Sequence, residues 1–226
     1  MTKICYLDAF SGVSGDMLVG ALADAGADTQ VLGDALRSLD PHAEIVFEKT
    51  KRRDIGATKF RVTVKDAPKH RHLGGILKMI EAAELPGVVK GTASAVFQKL
   101  AEAESGIHRQ TLEKVHFHEV GAVDSIADIV GACLGFQLLG IQRIVCSPIN
   151  VGSGTVNSEH GVLPVPAPAT AALLMGKPVY ARGPAVELTT PTGAAVVAAL
   201  AQDFGSMPAM TISSVGYGAG DKDFIE

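Results

Sequence analysis

Apolar positions along this chain switch repeatedly between short unbroken or alternating runs and a stripe of 3.6-residue period. Residues 3–9, with an unbroken apolar run at 4–7, predict a short buried strand, and residues 17–25 then take up helical spacing. Residues 29–39 read as a second helix that Pro41 stops. Residues 43–50 and 57–65 read as strands, with 52–56 as their turn. Phe60, Val62 and Val64 alternate there with Arg61 and Thr63, the pattern of a half-exposed antiparallel strand. Amphipathic helices follow at 73–83 and 87–105, separated by Pro86, with Gly106 as the expected stop of the second. A further helix runs from about Gly121 to Leu139, and 143–146 is a buried strand. Residues 147–168 are rich in Gly and Pro and read as a long loop, holding His160, of the kind that is usually functional or mobile. Helices at 167–175 and 192–200 and a last strand at 210–214 complete the pattern. The expected fold class is α/β: a sheet with flanking helices plus an inserted antiparallel hairpin at about 43–65, in one domain over 1–226.

Composition agrees with a sizeable core. Of 226 residues, 47% are hydrophobic, 5% are aromatic with no tryptophan, and mean hydropathy is +0.25. The net charge of −4 implies no overall basic surface for nucleic acid. Two local basic clusters, 49–53 (K-T-K-R-R) and 69–72 (K-H-R-H), read as solvated loops or as a grip on a phosphate or carboxylate. Cys5, Cys133 and Cys146 are widely spaced, without C-x-x-C, and read as buried thiols of a reducing compartment. The N-terminus has no signal-peptide pattern and no run of apolar residues is long enough for a membrane span, so the cytoplasm is the expectation, with no membrane partner.

Candidate chemistry concentrates in residues 115–128, V-H-F-H-E-V-G-A-V-D-S-I-A-D. His116 and His118 fall on one face of an extended segment, with Phe117 on the other. Gly121 allows a turn, after which Asp124 and Asp128 share a helix face. With Glu119, these side chains make a mixed nitrogen and oxygen set that suits a divalent metal. Each also has a bland reading: aspartates favour a helix start, and a His-x-His pair can be ordinary hydrogen-bonded structure. The set is not H-E-x-x-H, which needs histidines four apart.

Two strand–turn–helix junctions offer anion sites. In F-S-G-V-S-G-D, Ser11, Gly12, Ser14 and Gly15 lead into a helix start, with Asp8 at the carboxyl end of the strand and Ser14 or Asp16 as cap. In E-L-T-T-P-T-G, Thr189, Thr190, Thr192 and Gly193 do the same, with Pro191 at a favoured first helical position. Each reads either as a phosphate cradle or as a capped turn. The first is neither a nucleophile elbow, since position 16 is Asp, nor a Walker A loop.

Five motifs together resemble a known family: Y-L-D-A-F-S-G-V-S-G-D-M, H-F-H-E-V-G-A-V-D-S-I-A-D-I, H-G-V-L-P-V-P-A-P-A-T, E-L-T-T-P-T-G-A-A and G-Y-G-A-G, in this order along nearly the whole chain. They resemble the LarC family of nickel-insertion proteins. The resemblance implies a nickel chelatase of lyase type. Such an enzyme places Ni²⁺ into pyridinium-3,5-bisthiocarboxylic acid mononucleotide by cyclometallation, making the nickel-pincer cofactor of lactate racemase. It also implies CTP hydrolysis with Mn²⁺ or Mg²⁺, associated in the family with a further C-terminal portion, so this chain is expected to correspond to the N-terminal part. On this reading His116, His118 and Glu119 hold nickel, with Asp124 and Asp128 as ligands or orienters. Asp8, Asp16 or Glu119 accepts a proton, and the two glycine- and threonine-rich turns hold the substrate phosphate. The expected partners are that mononucleotide, the C-terminal portion and further copies of the chain. Three other readings use the same residues: a nickel-storing metallochaperone, a metal-dependent hydrolase of a phosphorylated small molecule, and a structural subunit whose activity lies in the C-terminal portion.

Overall fold

The structure, a computed structural model, describes residues 2–64, 71–117 and 122–223, with the side chain of His116 also outside the description. The first half contains β1 (Ile4–Leu7), α1 (Gly15–Asp24), α2 (Thr29–Arg37), β2 (Glu44–Arg52), β3 (Ile55–Thr63), β4 (Arg71–His72), α3 (Leu73–Ala82), α4 (Gly87–His108) and β5 (His116–Phe117). The second half contains α5 (Val123–Leu138), β6 (Arg143–Cys146), β7 (Ile149–Asn150), β8 (Thr155–Ser158), β9 (Gly161–Pro164), α6 (Pro168–Leu173), β10 (Val179–Tyr180), α7 (Pro191–Leu200) and β11 (Asp203–Phe204).

The α/β expectation holds. A parallel sheet is ordered β1-β6-β11, with Ile4 opposite Arg143 and Leu7 opposite Cys146. Parallel strands need helical crossovers and cover on their faces, and the chain supplies both. The helices form much of the core themselves. α5 is buried on nearly every side, from Val123 through Phe136, and touches α1, α2, α4 and α7. A helix apolar all round belongs in an interior. Gly131 and Gly135 let α1 approach it closely: a Cβ on Gly135 would lie 2.9 Å from Leu22 Cδ1, and one on Gly131 3.0 Å from Val19 Cγ2.

The inserted hairpin is present as β2 and β3, antiparallel from Glu44 opposite Thr63 to Arg52 opposite Ile55. Its turn is tighter than the five residues expected. Arg53 and Asp54 alone close it, both at positive φ (48° and 63°), the twist that suits a two-residue hairpin.

Four other expectations are corrected. Residues 147–168 are not one loop: β7 pairs with β10, and β8 with β9 in a second hairpin. The last strand is not 210–214, which take no strand pairing among the described residues; Asp203–Phe204 completes the sheet beside β6. Residues 186–190 form no strand beyond a single bridge, Gly152 to Glu187. Gly106 does not stop α4, which continues to His108 and ends on Arg109 at φ 50°.

Candidate functional site

The two glycine- and threonine-rich turns, 176 residues apart in sequence, interlock. Val13 N donates to Thr189 Oγ1 at 3.3 Å, and Thr190 N donates to Val13 O at 3.0 Å. Thr189 Oγ1 in turn donates to Asn150 O at 2.8 Å. The glycines make this approach possible. A Cβ on Gly12 would lie 2.0 Å from Leu188 O, and one on Gly193 2.2 Å from Val13 O. Both are backbone atoms that cannot move aside. Gly12, Thr189, Thr192 and Gly193 are therefore buried in the contact, while Ser11, Ser14 and Thr190 keep open surface.

The helix starts differ in how their amide groups are met. Thr190 caps α7, its Oγ1 accepting from Gly193 N at 3.3 Å, with Pro191 at the first helical position as expected. Ser14 occupies the cap position of α1 but makes no side-chain cap bond; its hydroxyl donates to the Asp16 carboxylate instead. The amino end of α1 meets Asp128 from α5. Asp16 N donates to the Asp128 carboxylate. Gly15 leaves room for that side chain, since a Cβ there would lie 2.6 Å from Asp128 Oδ2.

Asp128 is thus a carboxyl at a helix start, ringed by protein, with two other acids near. Burial, then the charges of Asp16 and Asp124, push its pKa well above the usual carboxylate range, against the bond from Asp16 N. Asp124 lies in the first exposed turn of α5 and accepts from Ser125 N at 2.8 Å. Asp8 stands elsewhere on the site, exposed beyond the carboxyl end of β1. Burial first and then the charge of Asp8 raise Tyr6, and in the same order Cys146, which is pushed up to about 12.

The histidine segment is described only in part. Phe117 is buried, packing edge-on to Phe97 at 6.2 Å between centroids, and β5 pairs with β4 so that His116 faces His72 in register. His118 and Glu119 lie outside the described residues. Among the described residues, no three His, Cys, Asp or Glu side chains group as a metal site. The three thiols are free; burial raises Cys5 to about 11 and Cys133 to about 12.

Asn150 was not among the residues singled out by sequence. Its side chain, 3% exposed, donates to Phe10 O (2.8 Å) and Arg182 O (2.9 Å) and accepts from Arg182 N (3.1 Å) and Gly152 N (3.2 Å). Ser147 Oγ accepts from Ala9 N at 2.9 Å beside it. The available signal was a lone amide inside the apolar run P-I-N-V, since a buried polar side chain has to be hydrogen-bonded.

Comparison with known proteins gives the context. Residues 5–226 match the family model described as nickel insertion protein. The chain is 49% identical over 222 residues to a pyridinium-3,5-bisthiocarboxylic acid mononucleotide nickel insertion protein of Desulfitobacterium hafniense, covering 98% of this chain and 55% of that protein. A protein of the same name from Staphylococcus epidermidis is 45% identical over 225 residues, covering 99% and 57%. A putative nickel insertion protein of Geobacter sulfurreducens is 49% identical over 227 residues, covering 99% and 58%. The chain therefore spans about half the length of the curated relatives it matches. No solved structure matches it. With the family model covering nearly every residue, this chain belongs to the nickel insertion protein family.

Proposed function

We propose that this chain is the nickel- and substrate-handling part of a nickel chelatase that metallates pyridinium-3,5-bisthiocarboxylic acid mononucleotide. The observation that carries this reading is the interlock of the two turns above Asp128. It gathers hydroxyls, backbone amides and acids from three distant segments at one place, in a chain of this family. Ni²⁺ suits imidazole ligands, and as cargo it must be held with positions left open for the thiocarboxylate sulfurs. His116, His118 and Glu119 take that role, with Asp124 and Asp128 as ligands or orienters. Forming the nickel–carbon bond releases the ring C–H proton, which Asp8, Asp16 or Glu119 accepts. Ser11, Ser14 and Thr190, on the open side of the interlock, are the hydroxyls of the turns best placed for the phosphate.

CTP with Mn²⁺ or Mg²⁺ belongs to the part of the longer relatives that this chain does not span. The cavity of about 430 Å³ lined by Glu81, Leu85, Gly87, Lys90, Gly91 and Ser94 offers a triphosphate a single cation. Its one cation, Lys90, donates to Glu81 O.

The decisive measurement is a calorimetric Ni²⁺ titration of the parent and of His116→Ala/His118→Ala. At least a tenfold loss of affinity is expected, since two imidazole ligands are removed. Unchanged affinity overturns the ligand assignment. Binding of the mononucleotide separates this reading from a metallochaperone, which needs no substrate pocket.

A further inference from the structure

Beside the first turn stand an aromatic and a cation that the reaction above leaves unused. Phe10 is 66% exposed, the one exposed phenylalanine among the described residues of a chain only 5% aromatic. It does not sit on a loose loop. Its carbonyl accepts from Asn150 Nδ2 at 2.8 Å and from the Tyr180 hydroxyl at 3.5 Å. The same Nδ2 donates to Arg182 O at 2.9 Å, so the backbones of Phe10 and Arg182 flank one nitrogen atom. Asn150 Oδ1 takes Arg182 N and Gly152 N, so both donor hydrogens and both acceptor positions of the amide are used. Its own backbone holds Ala9 O and Thr189 Oγ1. Tyr180, 37% exposed, lies beside Asn150 on β10. The Arg182 side chain is exposed, and its guanidinium makes no hydrogen bond or ion pair among the described residues.

A buried amide with every bond made fixes geometry rather than adding flexible surface. Here it fixes the backbones of Phe10 and Arg182 on one amide, so an exposed aromatic and a guanidinium unpaired among the described residues branch from neighbouring points of the chain beside the interlocked turns. An aromatic face attracts a cationic ring, and a guanidinium fork pairs with a planar carboxylate. A pyridinium ring bearing anionic carboxyl-type groups presents both features at once.

We infer that Phe10 and Arg182, held in register by Asn150, form the subsite for the ring of a pyridinium mononucleotide. Phe10 lies against the ring face, with Tyr180 alongside, and Arg182 pairs with a ring thiocarboxylate. The phosphate is left to Ser11, Ser14 and Thr190. This assignment rests on the nickel-insertion reading and adds to it the groups that select the ring.

The test is equilibrium binding of three probes: pyridinium-3,5-bisthiocarboxylic acid mononucleotide, nicotinate mononucleotide and nicotinamide mononucleotide. The last two differ only in a carboxylate against an amide. Phe10→Ala is expected to weaken all three about tenfold, with Phe10→Tyr retaining affinity. Arg182→Ala is expected to weaken the two acid-bearing probes about tenfold and to spare nicotinamide mononucleotide. Both side chains are exposed, so melting temperatures should stay at the parent value. A parent that binds the bisthiocarboxylate, with both variants matching it, removes this subsite and leaves the nickel-insertion reading standing. A parent that binds no probe overturns both.

Discussion

Asp128 shows how the placement of one carboxyl can oppose stability. Its carboxyl is raised by burial first, then by Asp16 and Asp124, so the folded state binds a proton that the unfolded state releases. Stability from this group is therefore fully present below the unfolded carboxylate value, about pH 4, and is lost as pH rises through the higher folded value. Asp128→Asn keeps an oxygen for the Asp16 amide and removes the charge. Its melting temperature is expected to exceed the parent's by a few degrees near neutral pH, with the gap closing toward about pH 4. Ni²⁺ affinity is expected to fall in the same variant. Melting curves across pH check the first outcome, and a gap independent of pH would show that burial of the ionised form is not the cause. The thiols shift the same way for the same reason, Cys133 and Cys146 up to about 12, but an ordinary thiol is already protonated near neutral pH, so burial costs no stability there and leaves them inert.

Between elements, the glycine-rich run near the end of the described chain acts as a strap. Thr58 N donates to Tyr217 O and Ala219 N to Thr58 O, laying residues 217–219 along the free edge of β3. Asp24 at the end of α1 accepts from Lys49, Thr58 and Tyr217 N. Burial opposes its ionised form, but those bonds hold it below the usual carboxylate value. A Cβ on Gly218 would lie 1.8 Å from Met17 O and 2.9 Å from Ala21 N, both fixed in α1. Gly218→Ala is therefore expected to cost at least about 2 kcal/mol. Gly91, exposed inside α4 with open space around its Cβ position, supplies the control. Gly91→Ala is expected to gain about 0.5–1 kcal/mol. Urea midpoints measure both, and equal effects would deny the strap its packing role. The strap was not legible in the sequence, where G-Y-G-A-G read only as a family motif. The surface helices were legible because each carries an apolar stripe, and α5 and α7 because their apolar runs are too long for strands. β8 and β9 were not, because their hairpin has no buried face to impose alternation, and the two residues of β11 are too few to show a period. Both turns of the site could be named from spacing alone. Their meeting could not, since it rests on direct bonds from Val13 to Thr189, 176 residues away, and to Thr190.

At the scale of the whole molecule, the question is how nickel insertion is divided along a longer polypeptide. The family match runs over residues 5–226, yet the Desulfitobacterium hafniense relative is nearly twice as long, with 55% of it covered. Every group assigned above to nickel, proton or phosphate lies within this chain. The cavity between α3 and α4 presents one lysine, already engaged by Glu81 O. Chelation and nucleotide hydrolysis are thus expected to separate physically. The 226-residue chain alone should bind Ni²⁺ and the bisthiocarboxylate mononucleotide, and should release no product from CTP with Mn²⁺ or Mg²⁺. Adding the remaining portion of the Desulfitobacterium hafniense protein in trans should bring CTP hydrolysis, together with nickel-dependent change in the mononucleotide spectrum. Chromatographic quantification of CTP products, with and without the added portion, measures this division. Hydrolysis by the chain alone would place the nucleotide site here and break the proposed separation. Restored hydrolysis without any metallated mononucleotide would show that the two activities are not coupled through this chain.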